Sequence, residues 1–240
     1  MKRIGLVGGM SPESTKDYYA ILVELARATF KDGSDDPVII IYSINQAAWV
    51  AHIKAGRRKE GVDLLSHAIS MLHKAGAELV ALTANTPHMF FDEVQGRSPV
   101  PMVSIVEATC DRASEMGAKR PLLLGTMFTM ASDMYPKALK ARSIGCVVPD
   151  ENERDDIDNV IRKELTKGRF SMLSRARFVE ICRAHIKKDD ADSVILGCTE
   201  IPLLLKEGDL SVPSLNTTRI HAEAIFKAAW TKADEKARRI

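Results

Sequence analysis

The chain has 240 residues, of which 45% are hydrophobic and 28% charged, with a formal net charge of +2. That length buries a core without metal or disulfide staples, and near-balanced charge argues against nucleic acid as the partner. The four cysteines form no C-x-x-C pair, which sets aside zinc fingers and thioredoxin-type redox motifs.

In chain order, the apolar run Ile4–Gly8 comes first, and Gly8-Gly9 cut it too early for a signal peptide. Val38–Tyr42, Leu79–Leu82, Met102–Ile105, Leu122–Gly125, Cys146–Val148, Ser193–Leu196 and Val212–Leu215 follow. All are short, rich in Val, Ile and Leu, and bounded by Gly, Pro or Asp, the pattern of parallel strands covered on both faces. Amphipathic stretches lie between them: Gly61–Lys74, Asp155–Lys167, Arg175–Lys187 and Thr218–Lys236. Within the first, Leu64, Leu65, Ala68, Ile69 and Leu72 recur at helical spacing. Strand-then-helix alternation predicts an α/β fold with parallel sheets. The charged stretch Asp150–Asp158 reads as a solvated helix start. No run approaches the roughly 18 apolar residues of a membrane span, so the expected setting is cytoplasmic with reduced thiols.

An internal repeat organises these elements. Gly8-Gly9-Met10 with Tyr18 corresponds to Gly125-Thr126-Met127 with Tyr135, each following an apolar strand. Ala84-Asn85-Thr86-Pro87 after Val80–Thr83 corresponds to Cys198-Thr199-Glu200-Ile201-Pro202 after Val194–Gly197. Two pairs in the same order predict two similar lobes whose strand C-termini face one cleft, where open α/β sheets bind ligands.

Each of the four loops joins a strand to a helix, where unpaired backbone N–H groups attract carboxylate or phosphate. Hydroxyl residues crowd them: Ser11, Ser14 and Thr15; Thr86; Thr126 and Thr129; Thr199. Such residues also cap helices as a matter of routine. Cys198 follows a strand and Gly197 and precedes a helix start, a position expected to leave the thiol partly exposed beside helix N–H dipoles and so reactive. Cys146 and Cys182 suit small buried core positions. His88 and His221 lie just beyond strand ends, but spacing picks no Asn or Asp partner for a Cys–His hydrolase. Gly5–Met10 lacks the G-x-G-x-x-G spacing of a dinucleotide loop.

Gly8-Gly9-Met10-Ser11-Pro12-Glu13-Ser14-Thr15 with Tyr18-Tyr19 resembles the N-terminal signature of the aspartate/glutamate racemase family. Asn85-Thr86-Pro87-His88, Leu124-Gly125-Thr126 with Thr129-Met130, and Gly197-Cys198-Thr199-Glu200 resemble its other signatures in the same order, and Ile220-His221-Ala222-Glu223 also matches. The resemblance implies two pseudo-symmetric Rossmann-like lobes, each a parallel sheet flanked by helices, with the site in the cleft between them. The lobes are expected at 1–101 with 214–240 and at 102–213. It implies an isomerase that moves the Cα proton of an aspartate- or glutamate-like amino acid without pyridoxal phosphate, any other cofactor or a metal, one residue from each lobe flanking Cα. Cys198 is the implied acid/base. Met10, Asn85, Thr86, Thr126, Thr129, Thr199 and Glu200 are implied substrate contacts, with Asn45 and Lys167 as more distant carry-overs. The partners implied are a small carboxylate or amino-acid substrate and a second copy of the chain, since family members commonly dimerise; no stripe of residues marks that interface.

One position departs from the family pattern. Where the first lobe usually carries Cys or Thr, this chain has Ala84, and alanine exchanges no proton. A water or a neighbour such as Thr86 or His88 substitutes; or Cys198 acts alone from one side, as in a single-thiol decarboxylase or isomerase of a dicarboxylic acid; or the alanine is an introduced substitution. A non-catalytic small-molecule binding protein is the reading outside enzymes.

Overall fold

The structure is a computed structural model and describes residues 1–30, 36–206 and 208–230. It is an α/β fold with two parallel sheets flanked by helices. Contacts divide the chain into two units, Met1–Ser104 with His221–Ile240, and Ile105–Ile220.

The first unit runs β1 (Ile4–Gly8), α1 (Pro12–Thr29), β2 (Ile39–Ser43), α2 (Gln46–Lys54), α3 (Arg58–Lys74), β3 (Leu79–Leu82), a 3-10 turn (Thr86–Phe90), α4 (Phe91–Gln95) and β4 (Met102–Val103). Its strands are ordered β2-β1-β3-β4, all parallel. Every residue of β1 and β3 is buried, which is why these runs show no polar alternation. Successive side chains go to opposite faces. Val7, Val80 and Leu82 pack with Leu65, Ile69 and Leu72 of α3. Ile4, Leu6, Leu79 and Ala81 pack on the other face with Tyr18 and Leu22 of α1 and with Ala222 and Ile225.

The second unit runs α5 (Ile105–Glu115), β5 (Pro121–Gly125), α6 (Met127–Ala131), α7 (Met134–Lys140), α8 (Glu151–Lys163), a 3-10 turn (Leu165–Lys167), α9 (Met172–Lys188), β6 (Ser193–Gly197), α10 (Ile201–Leu204), β7 (Ser214–Asn216) and the start of α11 (Thr217–Ala229). Its sheet is ordered β5-β6-β7, again parallel. The expected strand at Cys146–Val148 is reduced to a single parallel bridge between Val147 and Leu122. Val147 donates to the Pro121 carbonyl at 2.9 Å and accepts from the Leu123 amide at 2.9 Å. The ladder stops there because Pro149 has no N–H to contribute and Asp150 already caps α8. Counting that bridge, the second sheet repeats the order of the first, as the internal repeat predicts.

Other elements differ from expectation at their ends. The pairings of β4 to β3 and β7 to β6 put the unit boundaries after Ser104 and Ile220, beyond the expected breaks after 101 and 213. The Asp155–Lys167 helix begins earlier, at a reciprocal capping box between Asp150 and Glu153, and ends at Lys163. Gly168, with φ +68°, closes the following turn in the left-handed region. The last expected helix, Thr218–Lys236, is described to Ala229; residues 231–240 lie outside the described residues.

Glycine is required where the central strands end. A Cβ on Gly197 would lie 2.6 Å from the Leu124 carbonyl oxygen, and one on Gly125 would lie 2.9 Å from the Gly197 oxygen. Both obstacles are backbone and cannot swing aside. Gly197→Ala is therefore expected to cost about 1–3 kcal/mol of stability; a urea titration with an unchanged midpoint would remove this constraint.

Candidate active site

Apart from Lys167, which lies in the 3-10 turn after α8, the residues singled out from sequence fall at or just beyond the strand C-termini of the two units. In the first unit, Gly9 takes φ +83° and a Cβ there would lie 2.2 Å from the Ile44 oxygen, so only glycine makes this turn. Met10 is buried and its carbonyl accepts from Gln46 Nε2 at 3.0 Å. Ser11 caps α1 by accepting the Ser14 amide. Ser14 Oγ donates to the Thr83 carbonyl at 2.7 Å, and Thr15 Oγ1 donates to the Ser11 carbonyl at 3.1 Å while accepting the Gly9 amide at 3.0 Å. Thr83 Oγ1 donates to the Val7 carbonyl at 3.1 Å. Hydroxyls that sequence offers equally as ligands or caps are thus committed here to tying α1 to β1 and β3.

Ala84 follows, half-buried against the α3-side core. Its carbonyl lies 2.9 Å from His88 Nδ1. A carbonyl only accepts, so Nδ1 carries the proton. His88 also stacks on Phe91 and meets His221 edge-on, with centroids 5.8 Å apart. By the same argument His221 is protonated on Nε2, 3.0 Å from the Val103 carbonyl, and its Nδ1 accepts from the Tyr18 hydroxyl at 2.8 Å. Burial, reinforced by His221, pushes His88 down to about 3, and burial pushes His221 down to about 4. Both rings are neutral at neutral pH. His88 therefore brings no spare proton to Ala84, and the Tyr18–His221–Val103 chain pins α1 and α11 to β4. Asn85 is buried and its carbonyl accepts the His88 amide at 2.9 Å; Thr86 is half-buried. Asn45 is exposed and caps α2 by accepting the Ala48 amide at 3.0 Å.

In the second unit, Cys198 emerges directly beyond β6, with Thr199 and Glu200 ahead of α10. Cys198 Sγ donates to Glu200 Oε2 at 3.0 Å, and Thr199 Oγ1 donates to the same oxygen at 2.9 Å. All three residues are buried, Cys198 at 7% exposure. The expectation of a partly exposed thiol that ionises readily is overturned. Burial, and then the Glu200 carboxylate, hold the Cys198 thiol well above its ordinary value. A four-residue α10 offers too few aligned peptides to offset that. The resting group is a protonated thiol whose proton already points at a carboxylate.

Thr126 Oγ1 caps α6 by accepting the Thr129 amide at 3.2 Å and lies 3.1 Å from Thr129 Oγ1. Met127 donates its amide to Asp158 Oδ1 at 3.0 Å. Sequence reading left Asp158 in a solvated helix start, yet it is buried at 6% exposure. The missed signal is its spacing from Ile161 on α8 and Leu165 in the turn that follows, three and seven positions on and both buried. Lys167 is exposed beside the turn glycine. Among the described residues no cluster of His, Cys, Asp and Glu is arranged to hold a metal ion, and no helix is long and apolar enough to cross a membrane.

Comparison with known proteins places this geometry in a wider group. The family model for Asp/Glu/Hydantoin racemase matches residues 7–225. The broad specificity amino-acid racemase RacX of Bacillus subtilis (strain 168) is 25% identical over 226 residues, covering 92% of this chain and 95% of its own. The crystal structure of an aspartate racemase homologue from Pyrococcus horikoshii OT3 is 38% identical with a TM-score of 0.80, covering 95% of this chain and 99% of that one. The Picrophilus torridus aspartate racemase, at 22% identity and TM-score 0.76 over 98% of each chain, shares the fold.

Two outcomes follow from the electrostatics. The depressed His88 and His221 stay neutral in the folded chain while the unfolded chain takes up protons near the usual histidine value of about 6.5. Their contribution to stability is complete above that value and is lost as pH falls toward 4 and 3. Melting temperature should therefore drop between about pH 6.5 and 4.5, and the His88→Asn variant should show a shallower slope; parallel slopes would contradict the assignment. For Cys198, Glu200→Gln removes the nearest negative charge. It should move the pH midpoint of Cys198 carboxamidomethylation downward, read by peptide mass spectrometry; an unmoved midpoint would detach Glu200 from the thiol.

Proposed function

The chain belongs to the Asp/Glu/Hydantoin racemase family, and from that membership we propose that it is an isomerase moving the Cα proton of an aspartate- or glutamate-like amino acid without a bound cofactor. The observation that carries this reading is the Cys198 thiol donating to Glu200. For the forward step, Glu200 takes the thiol proton and the thiolate takes the Cα proton, leaving a carbanion; the thiol then returns a proton to carbon. Glu200 is a proton acceptor in this scheme before it is a substrate contact. Asn85, Thr86, Thr126, Thr129 and Thr199 are assigned to the substrate by family membership, with Met10, Asn45 and Lys167 as outlying candidates. A reducing cytoplasm fits the four free cysteines, and a homodimer is carried over from family membership alone.

The first unit is where this chain departs from the family pattern. Ala84 offers no ionisable group, Thr83 Oγ1 is bound to Val7, and His88 is neutral with its Nδ1 proton on the Ala84 carbonyl. Proton traffic is therefore assigned to Cys198, with inversion depending on water at the Ala84 side. That asymmetry also favours a second reading, a single-thiol decarboxylase of a dicarboxylic acid in which Cys198 protonates the carbanion left by carbon dioxide.

Single enantiomers of aspartate and glutamate in deuterated water decide between them. The expected result is Cα deuterium incorporation faster than inversion, abolished in Cys198→Ser. Ala84→Cys should raise inversion relative to exchange by about 10²-fold or more, the scale of one positioned acid/base group. Carbon dioxide release from a malonate-type acid, without exchange on amino acids, would replace the isomerase with the decarboxylase. Ligand-induced stabilisation with neither reaction would leave a binding protein.

A further inference from the structure

Asp158 belongs to no motif that the family resemblance singles out, and the proton chemistry above makes no use of it. It is a carboxylate buried at 6% exposure in a helix otherwise rich in solvated charge. Its two oxygens have different partners. Oδ1 accepts the Met127 amide at 3.0 Å, and Oδ2 pairs with Arg162 Nε at 2.6 Å, one turn along α8. Arg162 is half-exposed, so water screens its charge and leaves Asp158 a net negative group inside the unit.

Position decides what that charge acts on. Met127 opens α6, and Thr126 before it caps that helix. β5 and β6 are paired in register with Gly125 opposite Gly197. Thr126 and Cys198 are therefore the first residues beyond two paired strand ends. A carboxylate on the amide of Met127 sits against the loop neighbouring Cys198. Arg162 on its own helix pairs with it, and the Cys198 thiol beyond β6 feels its charge.

We propose that Asp158 is a positioning residue for Cys198: it locks the loop after β5 through the Met127 amide and places a second fixed negative charge beside the thiol. Burying a carboxylate is costly unless it is partnered, and a purely structural cap for a five-residue helix would be served by a neutral Asn or Ser. The charge has a use beside a thiol that must keep its proton until Glu200 takes it. Asp158 acts in the same direction as Glu200 in raising the Cys198 thiol, though more weakly. Its role in turnover rests on Cys198 being the acid/base; its effect on the thiol does not.

Asp158→Asn and Asp158→Ala separate the two jobs. Asparagine keeps an acceptor for the Met127 amide and removes the charge, whereas alanine removes both. In Asp158→Asn, Cys198 carboxamidomethylation by iodoacetamide should be about 3- to 10-fold faster at pH 8, equivalent to half to one unit of acidity. The pH midpoint should move down by less than in Glu200→Gln, with the melting temperature held near that of the parent. Asp158→Ala should show the same shift together with a lower melting temperature. In turnover, the pH–rate profile of Cα deuterium exchange should move with the alkylation midpoint in Asp158→Asn. An alkylation midpoint that stays in place or rises in Asp158→Asn overturns the proposal. So does equal loss of exchange in the Asn and Ala variants with no change of pH profile, which would make Asp158 a structural cap only. If the parent exchanges no substrate proton, the isomerase reading fails, and the alkylation midpoint still decides the effect of Asp158 on the thiol.

Discussion

Each unit turns on a threonine pressed against the glycine that ends its leading strand. In the first unit a Cβ on Gly8 would lie 2.5 Å from Thr15 Cγ2. In the second, a Cβ on Gly125 would lie 2.9 Å from Thr129 Cγ2, and one on Gly197 would lie 3.4 Å from the same threonine and 2.6 Å from the Leu124 oxygen. The absent side chains let a helix start lean directly over a strand end. That close approach aligns the loops after β1 and β3, and after β5 and β6, along one edge of each sheet. A larger residue at any of these glycines would push the helix away and separate the groups that must share the edge. The internal repeat in the sequence is the record of this packing requirement met twice.

The two copies have since been put to different chemical use. The edge of the first unit is electrically quiet: hydroxyls bound to carbonyls, two neutral imidazoles and an alanine. The edge of the second carries a thiol in contact with a carboxylate. A helix N-terminus is often invoked to make a cysteine acidic, but the short α10 is outweighed by Glu200 in direct contact and by burial. A contact of 3.0 Å between buried groups counts for more than a partial charge spread over one turn. The outcome is a thiol that keeps its proton at rest.

Much of the fold was legible because buried parallel strands advertise themselves. Ile4–Gly8 and Leu79–Leu82 needed no tertiary information, being uniformly apolar and closed by small or polar residues. Cys146–Val148 was less legible, because one proline and one capping box, both local, cut its pairing to a single bridge. The position of Cys198 could be read from the strand before it, but its surroundings could not. Whether Glu200 faces a substrate or the neighbouring sulfur depends on the path of two loop residues, which no periodicity encodes. The hydroxyls of Ser14 and Thr15 show the same limit, since capping and ligand binding use identical residue types at identical positions. Asp158 was hidden for a different reason: a run of charged neighbours masked its place on the apolar face of α8.

The chemical state of the sulfurs reaches beyond the reaction they serve. Burial pushes Cys110, Cys146 and Cys182 up to about 12, and Cys198 is also held in the thiol form. Peroxides attack thiolates far faster than thiols. A chain whose cysteines all hold their protons offers oxidants no ready nucleophile. None of the four sulfurs is therefore a standing target for peroxide in the folded chain.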